Sequence, residues 1–319
     1  MGKARSFIRA GALLLGSLLA IGLAGAAQAA PTRCQAIPGG RIVTVGPGVS
    51  LAVRTIGAGR PVLMIPSLGR GTADFDEVAG RLVAHGFMTI LIEPRGINGS
   101  AAPAPADLFA IAADLDRVLA GICQGPVDVV GHAFGNRVAR ALATAHPARV
   151  RRVVLLAGGG EVPMTPAISS ALSGSAAQGD KPDAERLKDL QTAFFAKGND
   201  PSRWLSGWFP AVARDQVAAT RATPTKAWWN AGRAPVLLVQ ADEDPIAPPA
   251  NGQSLKAAIG SRLTIVTLRH ASHAILPEQP AAVTAAIAHY LLGTLPPRPR
   301  LQRSVDAAVA SPLSDQASR

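Results

Sequence analysis

The sequence predicts an α/β protein with a mostly parallel central sheet, helices on both of its faces and one inserted helical segment. Three observations carry this expectation. Short continuous apolar runs, the pattern of strands covered on both faces, alternate with longer segments of helical period. The alternation breaks once, over residues 161–232, and then resumes. The 319 residues are 48% hydrophobic, enough for a large core, while two cysteines are far too few for a disulfide-built scaffold.

From the N-terminus, Lys3, Arg5 and Arg9 precede an apolar stretch over 10–27, and Asp74 is the first acidic residue. The stretch ends in Ala27-Gln28-Ala29, a small-x-small cleavage pattern, so residues 1–29 read as a signal peptide and the protein as exported, periplasmic or secreted. Its length approaches that of a bilayer span, which leaves an uncleaved anchor as the other reading. Removing 1–29 takes three positive charges and no negative ones, so the formal charge of +11 becomes +8. Export permits Cys34 and Cys123 to pair. Two separate thiols, with Cys123 half buried behind a strand, is the alternative, and spacing does not choose between them.

The segments 41–45 and 51–56 alternate around Gly46-Pro47-Gly48 and read as an antiparallel pair. Buried strands follow at 61–65 and 88–92, separated by a helix over 74–85 that stops at Gly86. A helix at 106–120, a strand at 127–130, a helix at 134–145 closed by Pro147 and a strand at 153–156 come next. After the interruption, strands at 236–240 and 263–268 alternate with helices at 251–259 and 281–292. The core is thus 38–160 with 233–294, the interruption 161–232 is a helical cap, and the Pro-, Ser- and Arg-rich 295–319 is a disordered tail. Seven of the 13 aromatic residues fall between 194 and 229, including Trp204, Trp208, Trp228 and Trp229. They glue the cap to the body, line a pocket for an apolar ligand, or do both.

Parallel sheets place chemistry on loops at the carboxyl ends of their strands. There, Val129-Val130-Gly131-His132-Ala133-Phe134-Gly135-Asn136 runs from an apolar strand through Gly-x-x-x-Gly straight into a helix, the context of a nucleophile elbow. Ser67-Leu68-Gly69 follows one strand and Glu93-Pro94-Arg95-Gly96 the next. His146-Pro147-Ala148-Arg149-Val150 links the elbow helix to its strand. Asp242-Glu243-Asp244-Pro245-Ile246 and Ser272-His273-Ala274-Ile275-Leu276-Pro277-Glu278-Gln279-Pro280 lie near the end. Together these segments, over roughly 41–293, resemble the α/β-hydrolase superfamily, in its order of elbow, acid and histidine.

The resemblance implies Asp244 as the acid in preference to Asp242, His273 as the base in preference to His270, and the backbone amides of Leu68 and Phe134 as the oxyanion hole. His132 packs or lines the pocket, with Ser67, Trp204 and Trp208 as further binding candidates. At the elbow centre, where the superfamily has Ser, Cys or Asp, stands Ala133. A methyl group cannot form a covalent intermediate. Ser67 or Ser272 could approach the site, but neither has the exposed elbow placement. The readings left are a His273–Asp244 base acting without a nucleophile, a silent ligand-binding protein, and a substitution peculiar to this sequence in an ordinary esterase.

No ligand spacing for a metal and no phosphate loop is present; Gly158-Gly159-Gly160 lacks the lysine of such a loop. No cofactor is expected. The tight basic cluster Arg149, Arg151 and Arg152 reads as a solvated face away from the site, so the basic charge implies no nucleic-acid partner. The expected partner is a small molecule, with no stable membrane span after processing and the oligomeric state open.

Overall fold

In the computed structural model the described residues are 32–294, so the leader and tail expectations fall outside them. The first described strand, β1 (Arg33–Cys34), is short. It is followed by β2 (Arg41–Gly46) and β3 (Val49–Ile56), an antiparallel hairpin whose β3 alternates buried and half-buried positions. The strands β4 (Arg60–Ile65) and β5 (Phe87–Ile92) are continuous apolar runs, and β5 is buried at every position. Helix α1 (Asp76–Val83) connects them, entered through a 3-10 turn at Thr72–Phe75. Helix α2 (Leu108–Ile122) starts two residues later than the periodicity suggests, because the Asp107 side chain accepts the Ala110 N–H at 2.7 Å and caps it.

The two-residue β6 (Cys123–Gln124) pairs antiparallel with β1, bringing Cys34 opposite Cys123, and these two form a disulfide. Cys123 is buried, not half buried as in the separate-thiol reading. Pairs this short carry no periodicity, so only the structure decides between the two readings of the cysteines.

Then come β7 (Val127–His132), α3 (Phe134–Ala145) and β8 (Val150–Leu156). Strand β8 begins three residues before its apolar run, through Arg151 and Arg152. The basic cluster is not a bare solvated face. Arg149 pairs with Asp116 at 3.0 Å, Arg151 lies 3.8 Å from the buried Asp128, and Arg152 donates to Leu291 O at 2.5 Å. Helices α4 (Pro166–Ser175), α5 (Asp183–Ala193) and α6 (Pro210–Ala222) form an insertion. Strand β9 (Val236–Ala241), α7 (Ala250–Ile259), β10 (Leu263–Leu268), the short α8 (Ile275–Glu278) and α9 (Pro280–Leu292) complete the body.

Eight strands make one sheet in the order β10-β9-β8-β7-β4-β5-β3-β2. From β10 to β5 every neighbouring pair is parallel. One apolar layer joins α2, α3 and α7 to the sheet, and the other joins α1 and α9. Covering both faces explains the continuous apolar strands. Among the described residues no helix is long and apolar enough to cross a membrane.

Candidate active site

The turn between β7 and α3 is built by close packing. A Cβ on Gly135 would lie 2.7 Å from Ile65 C and Pro66 O and closer still to Ile65 O, all of them backbone atoms of β4 and the loop after it. A Cβ on Gly131 would lie 2.5 Å from the Gly135 carbonyl carbon. The two glycines therefore let strand, turn and helix approach where no side chain fits. Between them Ala133 holds φ 50° and ψ −110°, a conformation sparsely populated by non-glycine residues that costs on the order of 1–3 kcal/mol.

A polar brace holds this turn. The Asn136 amide donates to Ala133 O and, at 3.4 Å, to Ala157 O. Arg140, one helical turn on, donates to Asn136 Oδ1 and, at 2.6 Å, to Gly159 O. Its guanidinium is fully buried between the rings of Trp228 and Trp229, 4.5 Å from each centroid, and burial pushes its pKa well down. One side chain thus ties the entry of the insertion (Gly159), its exit (Trp228, Trp229) and the turn together.

The loops after β9 and β10 meet beside the turn. His273 Nδ1 donates to Asp244 Oδ2 at 2.8 Å, and both residues are buried. Asp244 Oδ1 accepts the backbone N–H groups of Ile246 (2.8 Å) and Ala247 (2.7 Å), which fixes the carboxylate. With Nδ1–H committed to an acceptor-only carboxylate, Nε2 is left as the basic nitrogen. Asp242 is exposed, and so is His270, whose ring lies 3.6 Å from Glu243. Ser272 Oγ donates to Glu243 O at 3.1 Å, and Ser67 is buried in the loop after β4.

His132 is wholly buried; its Nε2 donates to His273 O at 2.8 Å. Burial first, and the neighbouring His273 second, lower its pKa to about 3, so it stays neutral. It ties the histidine loop to β7. The amide of Phe134 opens α3 and has no acceptor within that helix. Leu68 lies in the turn closed by Arg70 N–H to Ser67 O at 3.3 Å, and the next amide, Gly69, donates to Gln216 Oε1 at 2.8 Å.

The insertion covers this ground with rings. Phe194 lies 5.6 Å from His273 and 5.4 Å from Trp204, and Trp204 is edge-on to His132 at 5.7 Å. Trp208 donates its indole N–H to Trp204 O at 2.6 Å. Arg70 stacks over both tryptophans, at 4.4 and 4.8 Å, while paired with Asp74. Glu278 joins insertion to body, accepting the Ala196 and Ser272 backbone N–H groups and the Asn199 amide, each at 2.7 Å; burial pushes its pKa up. Sequence reasoning did not single out Asn136, Arg140, Arg70 or Glu278. The i, i+4 spacing of Asn136 and Arg140 on an otherwise apolar helix face was the available signal.

Residues 62–287, which contain the turn, the Asp244 loop and the His273 loop, match the model of the "Alpha/beta hydrolase family". The chain belongs to the alpha/beta hydrolase family. A curated relative, the 2-hydroxy-6-oxo-2,4-heptadienoate hydrolase of Pseudomonas putida, is 31% identical over 133 residues, 37% of this chain. The match spans 44% of that relative's length. Among solved structures, a hydrolase from Pseudomonas aeruginosa PA01 superposes with TM-score 0.66 at 21% identity, covering 79% of this chain and 98% of that one. A thermophilic esterase from Thermogutta terrifontis does so with TM-score 0.66 at 20% identity, covering 80% and 98%. At that identity these two establish the shared alpha/beta hydrolase fold alone.

Proposed function

We propose that this alpha/beta hydrolase family member is exported and acts on a small, partly apolar ester or carbonyl compound. Its His273–Asp244 pair serves as a general base beneath an oxyanion hole made by the Leu68 and Phe134 amides. Ala133 stands at the nucleophile position, so no covalent intermediate forms. The observation that carries this reading is the 2.8 Å His273 Nδ1–Asp244 Oδ2 hydrogen bond, buried and aligned by two backbone amides.

The chemistry follows from those groups. His273 Nε2 takes a proton from water as its oxygen adds to the carbonyl carbon, and Asp244 stabilises the imidazolium. The hole amides hold the negative oxygen that develops. The proton then passes to the leaving oxygen, so ester and water give acid and alcohol with no bond to the protein. Triads without a nucleophile retain roughly 10³–10⁴-fold catalysis over water, which sets the expected scale. The insertion acts as a cap, with Trp204 and Trp208 against the ligand. The Cys34–Cys123 disulfide supports an oxidising compartment and hence export. The curated relative is named for a small oxo compound, in keeping with a carbonyl ligand.

A second reading, a silent ligand-binding protein, is favoured by Phe194 and Trp204 packed against His273 and His132. One experiment separates the two. The protein and its His273→Ala variant are assayed on short acyl esters, alongside Ala133→Ser. The base reading expects slow hydrolysis lost in His273→Ala. Absence of hydrolysis, or indifference to His273→Ala, refutes it and leaves ligand binding. Ala133→Ser should give a faster esterase that still needs His273; an inert serine variant overturns the assignment of hole and base.

A further inference from the structure

Helix α6 of the insertion buries Val212, Ala213, Gln216 and Ala219. That spacing is one helical stripe, and all of its members but Gln216 are apolar. Gln216 is only 4% exposed, and an amide so placed needs a partner to offset its lost hydration. Its Oε1 accepts the Gly69 N–H at 2.8 Å, across 147 residues of chain. The break in the apolar stripe is therefore explained by the loop after β4.

That loop is the turn whose second residue, Leu68, offers its N–H to the hole. Arg70 N–H donates to Ser67 O at 3.3 Å. Because a peptide is planar and trans, the Leu68 N–H then faces away from this bond, out of the turn. Gly69 holds φ 60°, the positive value that the third residue of a type II turn requires. In the competing type I turn the Leu68–Gly69 peptide is turned over, and Leu68 takes other angles. Glycine permits either; α6 chooses. Gln216 takes the Gly69 N–H, and Phe209, the residue before α6, donates its N–H to Gly69 O at 2.8 Å. A Cβ on Gly69 would lie 2.7 Å from that of Ala213, so the helix is seated directly against the turn. Arg70 and Trp208 pair as an antiparallel bridge beside these bonds.

We propose that Gln216 is a positioning residue for the reaction proposed above: from the insertion, it fixes the turn that presents the Leu68 amide to the carbonyl oxygen. The assignment rests on the hole-and-base reading and adds a residue, outside the body of the fold, on which the hole depends. Gln216 acts through Gly69 and not on the ligand itself.

Steady-state kinetics on short acyl esters in the Ala133→Ser background test it. Gln216→Met keeps the length of the side chain and removes the acceptor. The expected fall in kcat is on the order of 10- to 100-fold, below the roughly 10²–10³ of deleting a hole donor outright. KM should stay within about twofold, because the oxygen draws on the hole chiefly once it is charged. Gln216→Asn, an amide of the same polarity one carbon short, should lose kcat in the same way. Val212→Ala is the control for packing. Val212 lies on the same stripe, but its Cγ2 would lie 3.0 Å from a Cβ on Gly96, away from the turn. This variant should lower the urea midpoint at least as much as Gln216→Met and leave kcat unchanged. A kcat kept in either Gln216 variant, or lost equally in Val212→Ala, overturns the positioning role and leaves hole and base standing. An inert Ala133→Ser parent overturns the hole assignment, and the role of Gln216 falls with it.

Discussion

Replacing Gly135 by alanine tests whether the approach of α3 to β4 is what sets the site. The added methyl would sit 2.7 Å from Ile65 C and Pro66 O, whereas ordinary contact begins near 3.4 Å. Helix and strand must part by at least about 0.7 Å, and by more to clear Ile65 O, and since every contacting atom is backbone, no flexible side chain can yield instead. Overpacking costs typically 1–3 kcal/mol, and rigid neighbours place this case at about 3 kcal/mol. A matched control exists in Gly80, exposed in α1 with nothing within 4 Å of its virtual Cβ. Gly80→Ala should stabilise by about 1 kcal/mol through helix propensity alone. Urea denaturation of both variants should therefore give midpoint shifts of opposite sign, about 4 kcal/mol apart with unchanged m. The same parting moves the Phe134 amide away from the Leu68 turn. In the Ala133→Ser background, Gly135→Ala should then lower esterase kcat by on the order of 100-fold, as a displacement near 1 Å does. A Gly135→Ala variant as stable as the parent, with kcat preserved, would refute the close-approach account of the turn.

Two other outcomes follow from groups away from that contact. Reducing the Cys34–Cys123 bond, whose ends are 89 residues apart, should lower unfolding free energy by up to about 4–5 kcal/mol on the chain-entropy account. Denaturation with and without dithiothreitol, set against Cys34→Ser/Cys123→Ser, measures it, and identical curves would discount the crosslink. For His132 the folded pKa of about 3 lies below the ordinary value of 6.5. Its contribution is thus complete above pH 6.5 and is lost as pH falls toward 3, because only the unfolded chain takes up the proton. His132→Gln should flatten the loss of stability between pH 6.5 and 5 by up to about 1.4 kcal/mol per pH unit. An unchanged slope would mean the imidazole is protonated in the fold.

Much of the body was legible because sheet strands covered on both faces write themselves as apolar runs, as Phe87–Ile92 does with every side chain buried. The boundary of β8 was not legible. Arg151 and Arg152 interrupt the run, although their charges are met by Asp128 and by the Leu291 carbonyl. Neither was the β1–β6 pair, too short for any period. At the site, His273 and Asp244 could be named because the segments 242–246 and 272–280 resemble the superfamily's acid and histidine loops. Arg140 could not, since a charged residue on a helix ordinarily reads as a solvated face. Only the fold brings Trp228 and Trp229, some ninety residues later, to either side of it.

The crosslink has a topological consequence. Residues 34–123 form a covalent ring that contains β2 to β5, α1 and α2, so half the sheet is strung on a closed loop. A single proteolytic cut anywhere on that ring, for instance in the exposed Pro103–Ala104 stretch, would open it without releasing a fragment. The nicked molecule would run as one species until a reductant is added. In surroundings rich in proteases and poor in thiols, such a protein would tolerate one backbone break and keep its loops in register.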